Sequence, residues 1–315
     1  MKRIKICLMA LVVALVAASC GTSRVVPITG RTQNLMVSDA EILSLSSQEY
    51  TKYMQAAKKS TNSANTAMVQ RVGQRLASAV ETYLKEKGYQ SELSQYQWEF
   101  NLVQDQNVNA FCMPGGKIVV YEGLLPVTQD EASLAIVLGH EIAHAVAKHS
   151  AEQMSKQIKQ QYGTQLLGGV MQAAGVGDGV TGLAQSVIQS GFKFRNLKYS
   201  RDHETEADHM GLIFAAMAGY DPHVAVTFWQ RMAAASGGGN QSDIFSDHPS
   251  DAKRIAAIQN DLPEALTYYK PVASTSQSAS SSKKSSTAKK KTSSATKSSS
   301  SKKSGTGFTL TPVKK

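Results

Sequence analysis

His140-Glu141-Ile142-Ala143-His144 is the stretch on which the reading of this chain turns. On a helix, positions i and i+4 lie on one face a turn apart, so two imidazoles reach the same ion. Glu141, their neighbour, can approach a water at that ion without ligating it. Leu134, Ile136, Val137, Leu138, Ile142 and Val146 surround the motif and predict a buried helix. Burying two imidazoles and a carboxylate without partners is costly. H-E-x-x-H in this setting therefore points to a zinc site with Glu141 as general base.

Two histidines leave such a site incomplete, because a catalytic zinc takes three protein ligands and keeps one position open. One class of site places a third His six residues after the second, behind a Gly; Ser150 and Ala147 occupy those positions and exclude it. His149 lies nine residues from His140, about 180° around a continuous helix, and is expected to face away from the metal. The third ligand is expected from another helix, in Ser200-Arg201-Asp202-His203-Glu204-Thr205-Glu206-Ala207-Asp208. Glu204 and Asp208 are again an i, i+4 pair. This lets Glu204 ligate while Asp208 accepts a hydrogen bond from a ligating imidazole, fixing its tautomer. Glu206 is about 200° from Glu204 and is the weaker candidate. His203, His209 and His223 have no evident partner.

Outward from these helices the pattern is mostly helical. Residues 21–38, punctuated by Pro27 and Gly30, read as irregular. Helical spacing runs from Asp39 to about Lys59, and again from about Ala67 to Lys87, where Val69, Val72, Leu76, Val80 and Leu84 share a face and Gly88 ends the helix. Trp98, Phe100 and Leu102 alternate as in a strand, and Lys117–Tyr121 is a β-branched run after Pro114-Gly115-Gly116. From Asp130 to about Lys159 one helix is expected. Residues 163–191 carry eight glycines and read as a mobile loop or loosely packed helices. Further helices are expected from Arg201 to Ala218, after Pro222, and from about Ser250. Phe228-Trp229-Gln230-Arg231-Met232 carries no assignable chemistry. Beyond Pro271 the Ser, Lys, Thr and Ala composition cannot bury a core and reads as disordered.

The net charge of +10 is a property of the ends. Residues 271–315 hold ten Lys and no acid, and residues 1–20 add Lys2, Arg3 and Lys5, leaving 21 basic against 24 acidic residues between them. That body has no basic footprint for nucleic acid. The leader reads as a secretory signal: positive charges, the apolar run Ile6–Ala18, then small residues up to Cys20. Ala17-Ala18-Ser19-Cys20 resembles a bacterial lipobox, with Ala17 where Leu is commoner. The expectation is lipidation of Cys20, with plain signal-peptidase cleavage as the alternative, and a membrane anchor without a transmembrane helix. Only Cys112 remains in the body, so no intrachain disulfide is available there; it reads as a small buried hydrophobe.

His140–His144, the S-R-x-x-E-x-E-A-D-x-x-G stretch from Ser200 to Gly211, and His248-Pro249 followed by Arg254 resemble the M-48 metallopeptidases over roughly residues 65–260. The soluble, Oma-type branch is the most similar. The resemblance implies a zincin-like (gluzincin-type) fold, one zinc per chain on His140, His144 and Glu204, Glu141 catalytic and Asp208 behind a ligand. It also implies that His248 lies near the metal, donating to an oxyanion or occupying the open position. Asn109-Ala110-Phe111, Gly116 and the strand with Ile118 and Val119 resemble the family's edge strand, which takes an extended substrate as an added strand.

The expected fold class is α+β, mostly helical, with a small edge-strand sheet. The expected organisation is a lipoprotein signal peptide at 1–20, a linker and helix at 21–65, the metalloprotease domain at 66–270 and a disordered tail at 271–315. The expected activity is zinc endopeptidase cleavage of unfolded or misfolded envelope polypeptides, for a periplasm-facing lipoprotein, outer rather than inner membrane, with envelope assembly machinery as a possible partner. The competing readings are a chaperone or assembly factor with latent protease activity, and a structural lipoprotein whose Lys-rich tail binds anionic envelope polymer rather than forming a solvated stalk.

Overall fold

The computed structural model describes residues 22–167, 179–195, 197–236 and 252–271. The chain opens with a hairpin, β1 (Thr22–Val25) paired antiparallel with β2 (Thr32–Leu35). Helices α1 (Asp39–Ala56) and α2 (Ser63–Glu86) follow, their first turns capped by the Ser38 and Asn62 side chains. Next come β3 (Glu99–Val103), β4 (Ala110–Met113) and β5 (Lys117–Tyr121), then a short helix α3 (Leu125–Thr128). The rest is helical: α4 (Glu131–Val146), α5 (His149–Leu167), α6 (Gly179–Gln189), α7 (Arg201–Met217), α8 (Val224–Ser236) and α9 (Ala252–Tyr268).

The three-stranded sheet has the order β3-β5-β4, with β3–β5 parallel and β4–β5 antiparallel. Side chains alternate across it. Ile118, Val120, Phe100 and Leu102 enter a core shared with α2, α4, α7, α8 and α9. Val119, Tyr121, Phe111 and Met113 enter a second core with α1, α5, α6, Phe192, Phe194 and Leu197. Burial on both faces explains the unbroken apolar run of β5. On α2 the expected stripe of Val69, Val72, Leu76, Val80 and Leu84 is fully buried, and Gly88, at φ +86°, turns the chain out of the helix.

Three expectations are corrected. Residues 22–35 are a hairpin, ordered by side chains of Arg24, Arg31 and Gln33 that bond far along the chain. The helix expected over 130–159 is two. Lys148 takes φ +54°, a left-handed residue between α4 and α5, held by Lys148 Nζ donating to Asp39 Oδ1 and Oδ2 at 2.7 and 2.8 Å. Third, Ile118 and Val119 lie on the central strand and not on an edge, because β5 is bonded on both sides. Gly116 is likewise engaged, accepting from the Glu99 amide at 3.0 Å. The edges are β3 and β4, and the one beside the motif helix is β4, where Ala110 sits, with Asn109 just before it. Among the described residues no helix is long and apolar enough to cross a membrane. Cys20, the leader, His248 and the tail lie outside the described residues.

Candidate metal centre

Two helix starts set the site. Asp130 caps α4, its carboxylate accepting from the Ser133 amide at 2.7 Å, and Ser200 caps α7 through the His203 amide. Glu204 therefore falls in the first turn of α7 and His140 in the third turn of α4. The helices pack so that His140, Glu141, His144, Glu204 and Asp208 are all buried.

One ligand-type atom from each of His140, His144 and Glu204 lies within 4.8 Å of the others. His140 Nε2 and His144 Nε2 are 3.0 Å apart, and the Glu204 oxygens stand 3.5 Å from each. Behind them, His140 Nδ1 is 2.9 Å from Asp208 Oδ1. Arg254 grips Asp208 with two bonds of 2.6 and 2.7 Å and stacks 3.5 Å over the Trp229 ring. His144 Nδ1 is 2.8 Å from His149 Nδ1, whose Nε2 is 2.8 Å from Glu206 Oε2. Tyr199 stacks on His144 at 4.0 Å and its hydroxyl bonds Ser150 Oγ at 2.8 Å.

Proton bookkeeping tests whether this set suits a cation. Burial alone would raise the Asp208 and Glu206 carboxyls, but Arg254 and His140 lower the first, and His149 and Arg31 lower the second to about 2. Both are carboxylates and only accept. His140 Nδ1 and His149 Nε2 must then be N–H donors. Burial lowers His149 to about 4, so it is neutral and its Nδ1 accepts from His144 Nδ1–H. Burial likewise lowers His144, so its Nε2 is an acceptor facing His140 Nε2. Burial opposes charge on His140 too, but hydrogen bonds to Asp208 and Glu204 outweigh it and raise it to about 9. With no metal, that one proton sits between two imidazoles and a carboxylate, all presenting acceptors. A divalent cation suits the same place, and two imidazoles with one carboxylate are a zinc donor set.

Glu141 Oε2 accepts from the Cys112 amide at 3.0 Å. Alternation along β4, with Asn109 C=O bonded to the Tyr121 amide, turns the main-chain groups of Ala110 and Cys112 away from β5. The edge strand thus runs beside the motif helix. Between them lies a cavity of only about 10 Å³, bounded by Asn109–Cys112, Glu141, Leu197 and Tyr199. A roomier cavity of about 680 Å³ lies next to it, lined by Glu49, Tyr53, Tyr121 and Phe192 and touching Arg195 in common.

Four residues around the ligands take roles that the sequence did not assign. His149, expected to face away, sits behind His144, because the helix breaks at Lys148 and restarts. Glu206, the weaker acidic candidate, is its partner. Trp229 was given no chemistry and carries the Arg254 cation. Arg254, part of the family resemblance after His248-Pro249 but given no role there, reaches Asp208 and His140 from 46 and 114 residues away.

The family described as Peptidase family M48 matches residues 63–262. The mitochondrial metalloendopeptidase OMA1 of Schizosaccharomyces pombe is 40% identical over 177 residues, 56% of this chain and 50% of that protein. The human mitochondrial metalloendopeptidase OMA1 is 30% identical over 244 residues, 76% of this chain and 46% of that one. The beta-barrel assembly-enhancing protease of Yersinia pestis is 29% identical over 167 residues, 52% of this chain and 34% of that one. The chain spans about half the length, or less, of these curated relatives.

Proposed function

The chain belongs to peptidase family M48, and on that premise we propose that it is a zinc metalloendopeptidase acting on unfolded or extended polypeptide in protein quality control. The observation that carries this is the convergence of His140, His144 and Glu204 on one point, with Glu141 one residue from a ligand and against an edge strand. Zinc, when bound there, supplies Lewis acidity, polarising a carbonyl and acidifying water.

The protein's own residues do the rest. Glu141 takes the proton of the attacking water and returns it to the leaving amine. The Cys112 amide holds its carboxylate toward β4, so the base lies beside any chain laid along that strand. Ala110 and the Cys112 carbonyl offer outward main-chain groups to such a chain as an added strand, the Cys112 N–H being taken by Glu141, which selects extended over folded substrates. Asp208 and His149 hold the two imidazoles with Nε2 forward. His248 is assigned to the developing oxyanion, or to the resting site, on family resemblance.

The surrounding organisation is proposed on sequence. Residues 1–20 are a lipoprotein signal, Cys20 the lipid-bearing residue, 21–65 a linker and helix, 66–270 the protease domain and 271–315 a polar stalk. The leader favours a periplasm-facing envelope lipoprotein, in the outer rather than the inner membrane. The name of the Yersinia relative adds weight to the envelope and to assembly machinery as partner, whereas the OMA1 relatives are mitochondrial by name.

Purified protein is expected to contain one zinc and to digest casein, with a chelator stopping it. Glu141→Gln is expected to keep zinc and lose at least about 100-fold in rate, the scale of a general base. Undiminished cleavage by that variant would remove Glu141 as base; an absence of both zinc and cleavage in the wild type would remove the assignment.

A further inference from the structure

The matched family region begins at residue 63, yet the hairpin before it reaches the metal centre. Arg31 donates to both oxygens of Glu206 at 2.7 to 3.0 Å, and Thr29 Oγ1 donates to the same carboxylate at 2.6 Å. Glu206 accepts from His149, and His149 from His144. A continuous line of hydrogen bonds therefore runs from the hairpin to the back of a ligand. Arg31 also forks onto Glu152, which Gln33 shares.

The hairpin holds the end of the motif helix as well. The last carbonyls of a helix have no partner within it. Arg24 donates to Val146 C=O at 2.9 Å and Gln33 to Ala147 C=O at 2.9 Å. These bonds come just before Lys148, the left-handed residue that swings His149 back beneath His144. His203 stacks on His149 at 4.3 Å and closes the other side.

We propose that the Thr22–Leu35 hairpin is a positioning element for the metal centre, acting through Arg31, Glu206 and His149 on the orientation and tautomer of His144. Asp208 does this for His140 from within the family region; the hairpin does it for His144 from outside. The inference rests on zinc binding at His140, His144 and Glu204.

The test uses the full chain, with zinc affinity from chelator competition, the visible spectrum of the cobalt-loaded protein, and the melting temperature of the metal-free protein. Arg31→Gln and the near-isosteric Glu206→Gln are expected to weaken zinc about 10- to 100-fold, the scale for groups behind a ligand, and to alter the cobalt spectrum. Combining them is expected to add little, since they lie on one line. Arg31→Lys is expected to recover part of the loss. Ser23→Ala, an exposed position on the same hairpin, is the control, with affinity, spectrum and melting temperature close to wild type. Unchanged zinc affinity and spectrum in both Gln variants overturn the proposal, as does an equal loss in Ser23→Ala. A wild type that binds no zinc overturns the site itself, a separate result.

Discussion

Gly139 and Gly211 meet where α4 crosses α7. A Cβ on Gly139 would lie 2.6 Å from Gly211 O, and one on Gly211 would lie 2.6 Å from His140 N. Both obstacles are backbone, so no side-chain rotation relieves them. Their closeness lets the helix bearing His140 and His144 reach the helix bearing Glu204, and it explains why Gly211 closes the acidic motif. Gly211→Ala must push the helices apart. It is expected to destabilise the fold by about 1–3 kcal/mol or more, as overpacking does, and to lower zinc affinity by separating the ligands. Denaturant unfolding and chelator competition measure the two effects. A variant as stable as wild type that holds zinc equally well would show that the crossing tolerates a methyl group.

Asp208 is the acceptor that keeps His140 with Nδ1 protonated, and it is the counter-charge of buried Arg254. Asp208→Asn keeps the shape but removes the charge from both partners. Zinc affinity is expected to fall about 10- to 100-fold, read by chelator competition, with helical content unchanged by circular dichroism. Retained affinity would mean that Arg254 and Asp208 serve only the packing of α9.

What could be read from the residues follows physical range. The i, i+4 pairs on α4 and α7 are properties of one helix each, and they came out with their partners correctly assembled at one point. The order β3-β5-β4 depends on a parallel pairing between segments joined through β4, which no local pattern encodes; the unbroken β-branched run of Lys117–Tyr121 was the available hint of a central strand. His149 was misplaced because the angular argument assumed one helix, and Lys148, neither Gly nor Asn, gives no warning of a left-handed turn. The hairpin was missed for a similar reason. Thr22–Val25 and Thr32–Leu35 are short and largely polar, and what orders them is bonding to Val146, Ala147, Glu152 and Glu206, over a hundred residues away.

Leu197 and Phe194, both buried, lie over the gap between β4 and Glu141. On the proposed edge-strand binding, a chain beside Ala110 and Cys112 needs these two side chains to move aside. Leu197→Ala loosens the cover and is expected to raise kcat/KM on unfolded casein severalfold, at a modest stability cost (about 2 kcal/mol or more for a buried Leu). A drop in kcat/KM with intact zinc would instead make Leu197 part of the surface that grips substrate.

His209 gives the fold a pH dependence whose sign is fixed. Its Nδ1 is 3.2 Å from Asp261 Oδ2 and its Nε2 3.5 Å from Glu264 Oε2, joining α7 to α9. The hydrogen bond to Asp261 is the main cause that raises its pKa above 6.5; burial opposes it, and the charges of Asp261, Glu264 and Glu206 add to the rise. The folded state therefore binds this proton more tightly than the unfolded one. The stabilisation is complete below 6.5 and is lost as pH climbs through the raised folded value. Because α9 carries Arg254, the brace of Asp208, weaker docking of α9 at alkaline pH is also felt at the ligand His140. Unfolding midpoints of the metal-free protein at about pH 6 and about pH 9, either side of the ordinary histidine range, are expected to show a loss that His209→Gln reduces, the remainder belonging to His140, whose proton the folded state also holds more tightly. An equal loss in that variant would assign the alkaline limb to other groups.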